Sequence, residues 1–516
     1  MFDFLEKNAE KTPNKEALIF YDRRLTYMEI ENFANSLGNA LLGLGLHKLD
    51  RVAIYLENSV ESVISIFGII KAGGIFVIIN PQTKTRKLEY ILSDCQVNFL
   101  ITDSPLLLNN TTDFSNIKLI LITTDTNQLN KFVENKDIYI FWDIINQSSS
   151  KRPSNTCIDI DLCSLIYTSG STGKPKGVML NYQNLISSAN SIIEYLENTH
   201  EDIILNCLPL SFDYGLYNIL MPFKFGGTVI LEKSFIYPFQ LIGRVNQEKV
   251  NCLPLVPTII TLLLQVKKLE KYNFSNIRYI TSTGQVLPSK HIFRLSQLFP
   301  QTKIFSMYGL TECKRVLYLP PDQLLKKPTS VGKAIPNTEV YVVNKNGEKI
   351  SQPGEIGELM VRGSNVMQGY WNLPEETAKV LQRGTYSSEK ILRTGDLFKM
   401  DEEGYLYFIA RKDDMIKTGG EQVSPKEIEN ILYELDGINE VVVFGIEHEI
   451  LGQAIKVSLV LEEDSELTEK EILEYCSLHL EKYMIPKYID LRKELPKTLT
   501  GKLSRNELKS SHKQFI

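Results

Sequence analysis

Between residues 25 and 44 apolar side chains return at spacings of three and four, the repeat of a helix with one buried face. Arg51-Val-Ala-Ile-Tyr-Leu56 then reads as a short buried strand and residues 59–71 as a second helix. Gly73-Gly74 stops that helix before a strand at Ile75-Phe-Val-Ile-Ile79. Such alternation predicts a layered α/β domain. Residues 104–155 are polar, rich in Asn, Thr and Ser, and predict surface loops around one strand at Leu119-Ile-Leu-Ile-Thr123. Beyond residue 278 a strand ends in Thr283-Gly284-Gln285, and strand-like Val340-Tyr-Val-Val343 and Leu359-Met-Val361 lie between turns, as in a small β-rich unit. Ser424-Pro-Lys-Glu427 opens a helix over 424–435, with Ser at the N-cap and Pro at the first helical position. Strands at Val441-Val-Val-Phe444 and 455–460, and a helix after Thr468, predict a last, small α/β unit.

One junction changes the picture. The apolar run Leu162-Cys-Ser-Leu-Ile-Tyr167 breaks into Tyr167-Thr-Ser-Gly-Ser-Thr-Gly-Lys-Pro-Lys-Gly177, a buried strand feeding a loop. Gly170, Gly173 and Gly177 let backbone approach a ligand closely. Thr168, Ser169, Ser171 and Thr172 offer hydroxyls, and Lys174 and Lys176 offer charge. Successive backbone N–H groups in such a loop cradle a polyphosphate. It is not a Walker loop, because Thr168 stands where the first Gly of that motif belongs and Pro175 where its Ser or Thr belongs. A flexible linker is the plainer alternative, but linkers rarely follow an apolar strand or carry two ordered lysines.

Composition narrows the classes. The 516 residues are 43% hydrophobic and 23% charged, which describes a large globular chain of more than one domain. A net charge of −5 without a basic cluster argues against nucleic acid. Seven scattered cysteines show neither CxxC nor zinc spacing and read as reduced thiols. The acidic start Met1-Phe-Asp-Phe-Leu-Glu-Lys7 does not resemble an export signal, and the apolar run at 63–70 is too short to span a bilayer. A cytoplasmic protein with no membrane partner is expected.

With its flanks, the 167–177 loop resembles the phosphate loop of the adenylate-forming superfamily, which includes acyl- and aryl-CoA synthetases, non-ribosomal peptide synthetase adenylation domains and firefly luciferase. Further motifs match that family in order. Ser306-Met-Tyr-Gly-Leu-Thr-Glu312 implies Tyr308 stacked on adenine, Thr311 at the α-phosphate, Glu312 on Mg²⁺, Met307 at the acyl pocket and Gly309 between them. Thr283, Gly284 and Gln285 match one wall of the acyl pocket and part of the adenine site. Gly332-Lys-Ala-Ile-Pro336, Gly354-Glu-Ile-Gly-Glu-Leu359 and Gly369-Tyr-Trp-Asn372 match family turns. Asp396, in Arg393-Thr-Gly-Asp-Leu397, matches the ribose-holding residue; Arg411 the residue reaching ribose and phosphates; Asp413 the hinge; Gly419-Gly420 a loop presented to the pantetheine tunnel. Ala410 departs from the usual Gly before the Arg. Lys502, closing Leu495-Pro-Lys-Thr-Leu-Thr-Gly-Lys502, matches the catalytic lysine.

The resemblance implies an α/β fold: a large N-terminal domain, 1–412, of two α/β-layered sheets plus a β-rich subdomain, and a small mobile C-terminal α/β domain, 413–516. It implies a ligase that uses ATP and Mg²⁺ to adenylate a carboxylic acid and then pass it to a pantetheine thiol. Leu208-Pro-Leu-Ser-Phe-Asp-Tyr-Gly215 bears on which acid. Acyl-CoA synthetases usually carry His where Phe212 stands, whereas amino-acid adenylation domains carry an aromatic residue followed by Asp. Asp213 would pair with a substrate ammonium and repel a fatty chain, or else cap the following helix. Tyr214 and Tyr217 would leave room for a small or cyclic side chain such as L-proline. In the atypical Cys313-Lys-Arg-Val316, Lys314 or Arg315 would meet a substrate carboxylate or face solvent, with solvent slightly favoured. The chain ends soon after Lys502, so the expected acceptor is a separate carrier protein, with CoA, and hence an acyl- or aryl-CoA ligase, as the alternative.

Overall fold

The computed structural model describes residues 1–108, 114, 117–123, 137–154, 157–169, 174–233, 237–386, 389–418, 421–498 and 502–513. The first expected helix forms as Tyr27–Gly43, started by a reciprocal cap. The Thr26 hydroxyl accepts from Glu29 N–H, and the Glu29 carboxylate accepts from Thr26 N–H. The second forms as Val60–Ala72, buried on all sides, and ends at Gly73 in the left-handed region with φ 81°. The two helices pack so closely that a β-carbon on Gly68 would lie 2.7 Å from Leu37 Cδ2.

Two large sheets carry the N-terminal part, both drawn from the described residues. One runs in eight strands from Gly369–Tyr370 through Pro175–Asn181, Leu162–Ser169, Ile75–Ile78, Arg51–Tyr55, Phe99–Thr102 and Leu119–Ile122 to Asp137–Ile140. The strands from Leu162–Ser169 to Asp137–Ile140 are parallel, with Ala53 opposite Val77 and Leu100, whereas Pro175–Asn181 pairs antiparallel on both sides. The nine-stranded sheet holds the parallel strands Ile203–Asn206, Cys252–Leu255, Tyr279–Ser282 and Lys303–Tyr308, and is edged by Lys333–Ala334 and Arg23–Thr26. A five-stranded antiparallel sheet, including Thr338–Val343, Ile356–Gly363 and Lys390–Met400, forms the β-rich unit. One apolar cluster runs from Phe4 through both large sheets to Leu406. Residues 416–508 have two apolar clusters of their own around Ile428 and Phe444, on a further five-stranded sheet.

The polar stretch 104–155 contains more than one strand in loops. Ser104–Leu108 and Phe141–Gln147 are helices, and Asp137–Ile140 adds a parallel strand at the sheet edge. Partly buried strands at an edge lack the apolar alternation that would reveal them. Ser424 does precede the helix Pro425–Glu434, but its hydroxyl donates to the Ile409 carbonyl at 2.6 Å and caps nothing. The seven cysteines are free thiols and six are buried. Among the described residues no helix is long and apolar enough to cross a membrane.

Candidate active site

Parallel sheets place ligands beyond the carboxyl ends of their strands. At those ends lies a cavity of about 820 Å³, closed on its other side by residues of the 413–513 region. Thr168, Phe212, Asp213, Tyr214, Thr283, Gly284, Gln285, Met307, Tyr308, Gly309, Thr311, Glu312, Asp396, Arg411 and Lys502, separated by up to 334 positions, all line it.

At one end, the Tyr308 hydroxyl donates to Asp396 Oδ2 at 2.6 Å. Asp396 is 2% exposed, and burial pushes its carboxyl above the usual range. Its Oδ1 makes no hydrogen bond among the described residues and faces Arg411 Nε at 3.3 Å. A buried acceptor left open in this way suits a ligand hydroxyl. The Glu312 carboxylate accepts from the Tyr370 hydroxyl at 2.7 Å. Among the described residues no group of three or more His, Cys, Asp or Glu could hold a metal alone. One hard carboxylate in a cavity roomy enough for a polyphosphate is nonetheless the donor set that Mg²⁺ takes, with phosphate oxygens and water completing its shell.

Lys502 enters from the small domain. A β-carbon on Gly284, whose φ is +93°, would stand 3.0 Å from Lys502 Cε, so Gly284 leaves the room this side chain uses. The Lys502 ammonium lies 5.3 Å from the centre of the Phe212 ring. Burial lowers its pKa, against the attraction of Asp213. The arm is held where Thr498 N–H donates to the Lys502 carbonyl at 2.7 Å. Asp413 does not line the cavity; its neighbour Asp414 does, and it pairs with Arg505 at 3.4 Å.

The other end departs most from expectation. Asp213 is the first residue of the helix Asp213–Phe225, whose N-cap is Phe212, and it makes no side-chain cap. Its Oδ2 instead meets Lys314 Nζ at 3.2 Å, while the same Nζ donates to the Asp213 carbonyl at 2.7 Å. Lys314 and Arg315 do not face solvent: they are 4% and 3% exposed. The cause is backbone geometry. Lys314 sits in the left-handed region, φ 59°, and this turn sends its side chain under the 213–225 helix. There the ammonium lies 4.4 Å from the Tyr217 ring centre and 5.6 Å from that of Tyr214, and Arg315 lies 5.1 Å from Tyr214. Burial pushes Lys314 down to about 7, with Asp213 opposing. Arg315 Nε finds no hydrogen-bond partner among the described residues. Tyr214 is fixed by a 2.6 Å hydrogen bond to Thr281 Oγ1. Tyr217 lies behind it, off the main cavity, and borders a void of about 10 Å³.

Gly170, Ser171, Thr172 and Gly173 of the expected phosphate loop lie outside the described residues, as do Gly419, Gly420 and positions 499–501. The loop's described ends are the antiparallel strands Leu162–Ser169 and Pro175–Asn181, paired at Ser169 and Pro175. Lys174 is exposed, and Lys176 is drawn aside to Glu376 at 2.6 Å. Sequence reasoning missed Tyr370, which looked like a turn residue, and the Asp414–Arg505–Glu429 cluster. No local spacing announces a contact with Glu312 from 58 residues away.

The close approach at Gly309 yields a prediction. A methyl there would come 2.0 Å from the Lys314 carbonyl oxygen. Gly309→Ala is expected to cost about 1–3 kcal/mol by overpacking and to disorder the turn carrying Lys314. A thermal melt with acid-dependent ATP–pyrophosphate exchange checks it, and a wild-type melt with wild-type exchange would contradict it.

The comparisons agree with this geometry. Residues 5–371 match the model of the AMP-binding enzyme family, and residues 427–502 match that of the AMP-binding enzyme C-terminal domain. A long-chain-fatty-acid–CoA ligase of Bacillus subtilis is 33% identical over 98% of this chain and 93% of its own. Surfactin synthase subunit 2 of the same organism is 29% identical over 98% of this chain, which spans 14% of that subunit. The anthranilate CoA ligase AuaEII, solved with anthranoyl-AMP, superposes with a TM-score of 0.89 at 28% identity, covering 99% of this chain and 96% of that one. ATP-bound MatB of Rhodopseudomonas palustris gives 0.86 at 26%, covering 100% and 99%. With the family model spanning most of the chain and homologues matching its full length, this protein belongs to the AMP-binding, adenylate-forming enzymes: it is a ligase that uses ATP and Mg²⁺ to adenylate a carboxylic acid and form a thioester.

Proposed function

We propose that the acid is a small amino acid, with L-proline the leading candidate, and that the acceptor is the pantetheine thiol of a separate carrier protein. One observation carries this reading. A carboxylate, Asp213, faces the acyl end of the cavity beside Phe212 and Tyr214, where a fatty chain would have to lie against Asp213, Lys314 and Arg315, all nine-tenths or more buried. Burying a methylene chain against desolvated charge is unfavourable, whereas an ammonium gains a charge-assisted hydrogen bond.

In this reading the substrate carboxylate oxygen attacks the α-phosphorus of ATP, forming an O–P bond as the bond to pyrophosphate breaks. Lys502, near Phe212 and Gly284, stabilises the charge that moves onto the phosphates. Thr311 contacts the α-phosphate, and Tyr308, Gln285 and Asp396 hold the nucleoside with Arg411. Mg²⁺, on Glu312, would neutralise polyphosphate charge. The thiol sulfur then attacks the acyl carbon and AMP leaves, after rotation about Asp413 withdraws Lys502.

A second reading, a CoA ligase for an acid without an amino group, draws on Lys314, which already supplies Asp213 with a counter-ion. ATP–pyrophosphate exchange across small amino acids and simple carboxylic acids separates the two. Exchange with L-proline or another small amino acid is expected; exchange only with acids lacking an amino group would overturn the first reading. Adding CoA or a phosphopantetheinylated carrier protein then identifies the acceptor.

A further inference from the structure

We propose that Arg505 is a positioning residue for adenylation: it clamps the foot of the arm that carries Lys502 and so aims that lysine into the cavity. This rests on the role given to Lys502 above.

Lys502 ends in a flexible four-carbon stem, so where its ammonium reaches depends on how firmly the backbone beneath it is held. That backbone belongs to a narrow hairpin. Lys497 and Leu503 pair across it, and Thr498 N–H donates to the Lys502 carbonyl at 2.7 Å. Lys502 N–H donates back to Thr498 Oγ1 at 3.1 Å, and Ser504 N–H to the Pro496 carbonyl at 2.8 Å. A two-stranded unit is marginally stable alone, so its hold must come from the small domain. Leu495, Leu503 and Leu508 pack with the Phe444 cluster, but apolar burial is non-directional and does not aim a side chain.

Direction comes from an ion pair at each foot of the arm. On one foot Lys497 meets Glu440 at 2.7 Å. On the other, three residues past Lys502, Arg505 makes three bonds. Its Nη2 donates to Glu429 Oε1 at 2.5 Å, its Nε to the Val443 carbonyl at 3.1 Å and its Nη1 to Asp414 Oδ2 at 3.4 Å. These partners come from the helix Pro425–Glu434, the strand Ile438–His448 and the residue next to Asp413. The Glu429 carboxylate, 4% exposed, also accepts from Val443 N–H at 3.0 Å, so Arg505, Glu429 and Val443 close a ring of hydrogen bonds. Glu440 and Val443 lie on the same strand, and both feet stand on it. A planar guanidinium can serve three directions at once, which an ammonium on a flexible stem does not. Arg505 lines the cavity, but each of its three nitrogens is engaged by the protein, as suits a support and not a ligand contact.

The test uses the full chain, ATP–pyrophosphate exchange and the acid of the panel above that supports it fastest. Arg505→Met should lower kcat for exchange about 10²-fold, the scale on which a small misplacement of a reacting group slows a reaction. KM for ATP and thioester formation from added acyl-adenylate should hold. Arg505→Lys, which keeps a charge beside Glu429 and hence the fold, should lose about tenfold. The deciding comparison is made in Lys502→Ala. A residue that acts only through Lys502 then has nothing to aim, so adding Arg505→Lys should cost no further activity. Wild-type exchange by a folded Arg505→Lys, a raised KM for ATP, or a further tenfold loss in the Lys502→Ala background would overturn the role of Arg505 and leave that of Lys502 standing. Wild-type exchange by Lys502→Ala would overturn both.

Discussion

Lys502→Ala is expected to lower acid-dependent ATP–pyrophosphate exchange by about 10³-fold, the scale on which removing one preorganised electrostatic group slows a reaction. ATP binding should change little. The separation comes from position. Lys502 approaches Phe212 and Gly284, while Tyr308, Asp396 and Arg411, the residues proposed to hold the nucleotide, make their contacts without it. A contact that matters mainly in the transition state appears in kcat and not in the ground-state affinity for ATP. Exchange measured beside fluorescence-detected binding of an ATP analogue decides the point. Normal exchange by the variant would remove Lys502 from the chemistry, and equal losses in both would make it a binding residue. Thioester formation from added acyl-adenylate should be spared, because in the proposed mechanism that half-reaction follows withdrawal of the lysine.

Asp213→Ala carries the second large effect, on two quantities at once. Removing one partner of a buried ion pair costs about 3–5 kcal/mol, because the charge left behind has no compensation. Here it leaves Lys314 and Arg315 buried together. If the proposed amino-acid reading holds, exchange with amino acids should fall about 10²–10³-fold through loss of the carboxylate proposed to meet the ammonium, a change comparable to losing a buried charged contact. A second substitution separates the causes. Asp213→Ala with Lys314→Met should recover most of the thermal stability, since no unpaired lysine remains, yet recover no amino-acid exchange. Recovery of both would make Asp213 a structural partner of Lys314 and hand the pocket to an acid without an amino group.

Much of this pocket was beyond the reach of the sequence. The choice between a capping and a pocket-facing Asp213 turns on a residue 101 positions away, and nothing in the residues that flank Lys314 reveals that it is buried rather than exposed to solvent. A left-handed backbone at one position reversed that expectation. The Glu312–Tyr370 and Tyr308–Asp396 pairs were equally hidden: all four residues stood in recognisable motifs, but which motif touches which is a property of the folded chain.

By itself the sequence determined what depends on neighbours within a few residues. The helices at Tyr27–Gly43 and Glu469–His479 carry their reciprocal caps at Thr26–Glu29 and Thr468–Glu471, and Gly73 ends a helix that only a residue tolerant of positive φ ends cheaply. The ordered motifs likewise identified the family, because their chemistry is written in residue type and spacing. Tertiary structure alone decided the order of strands, as in Leu18 pairing with Val229, and the electrostatics of the acyl end. Strand pairing and burial are set by contacts between distant residues. The worth of a charge depends on the water it loses and the partner it gains, and a linear chain specifies neither until it folds.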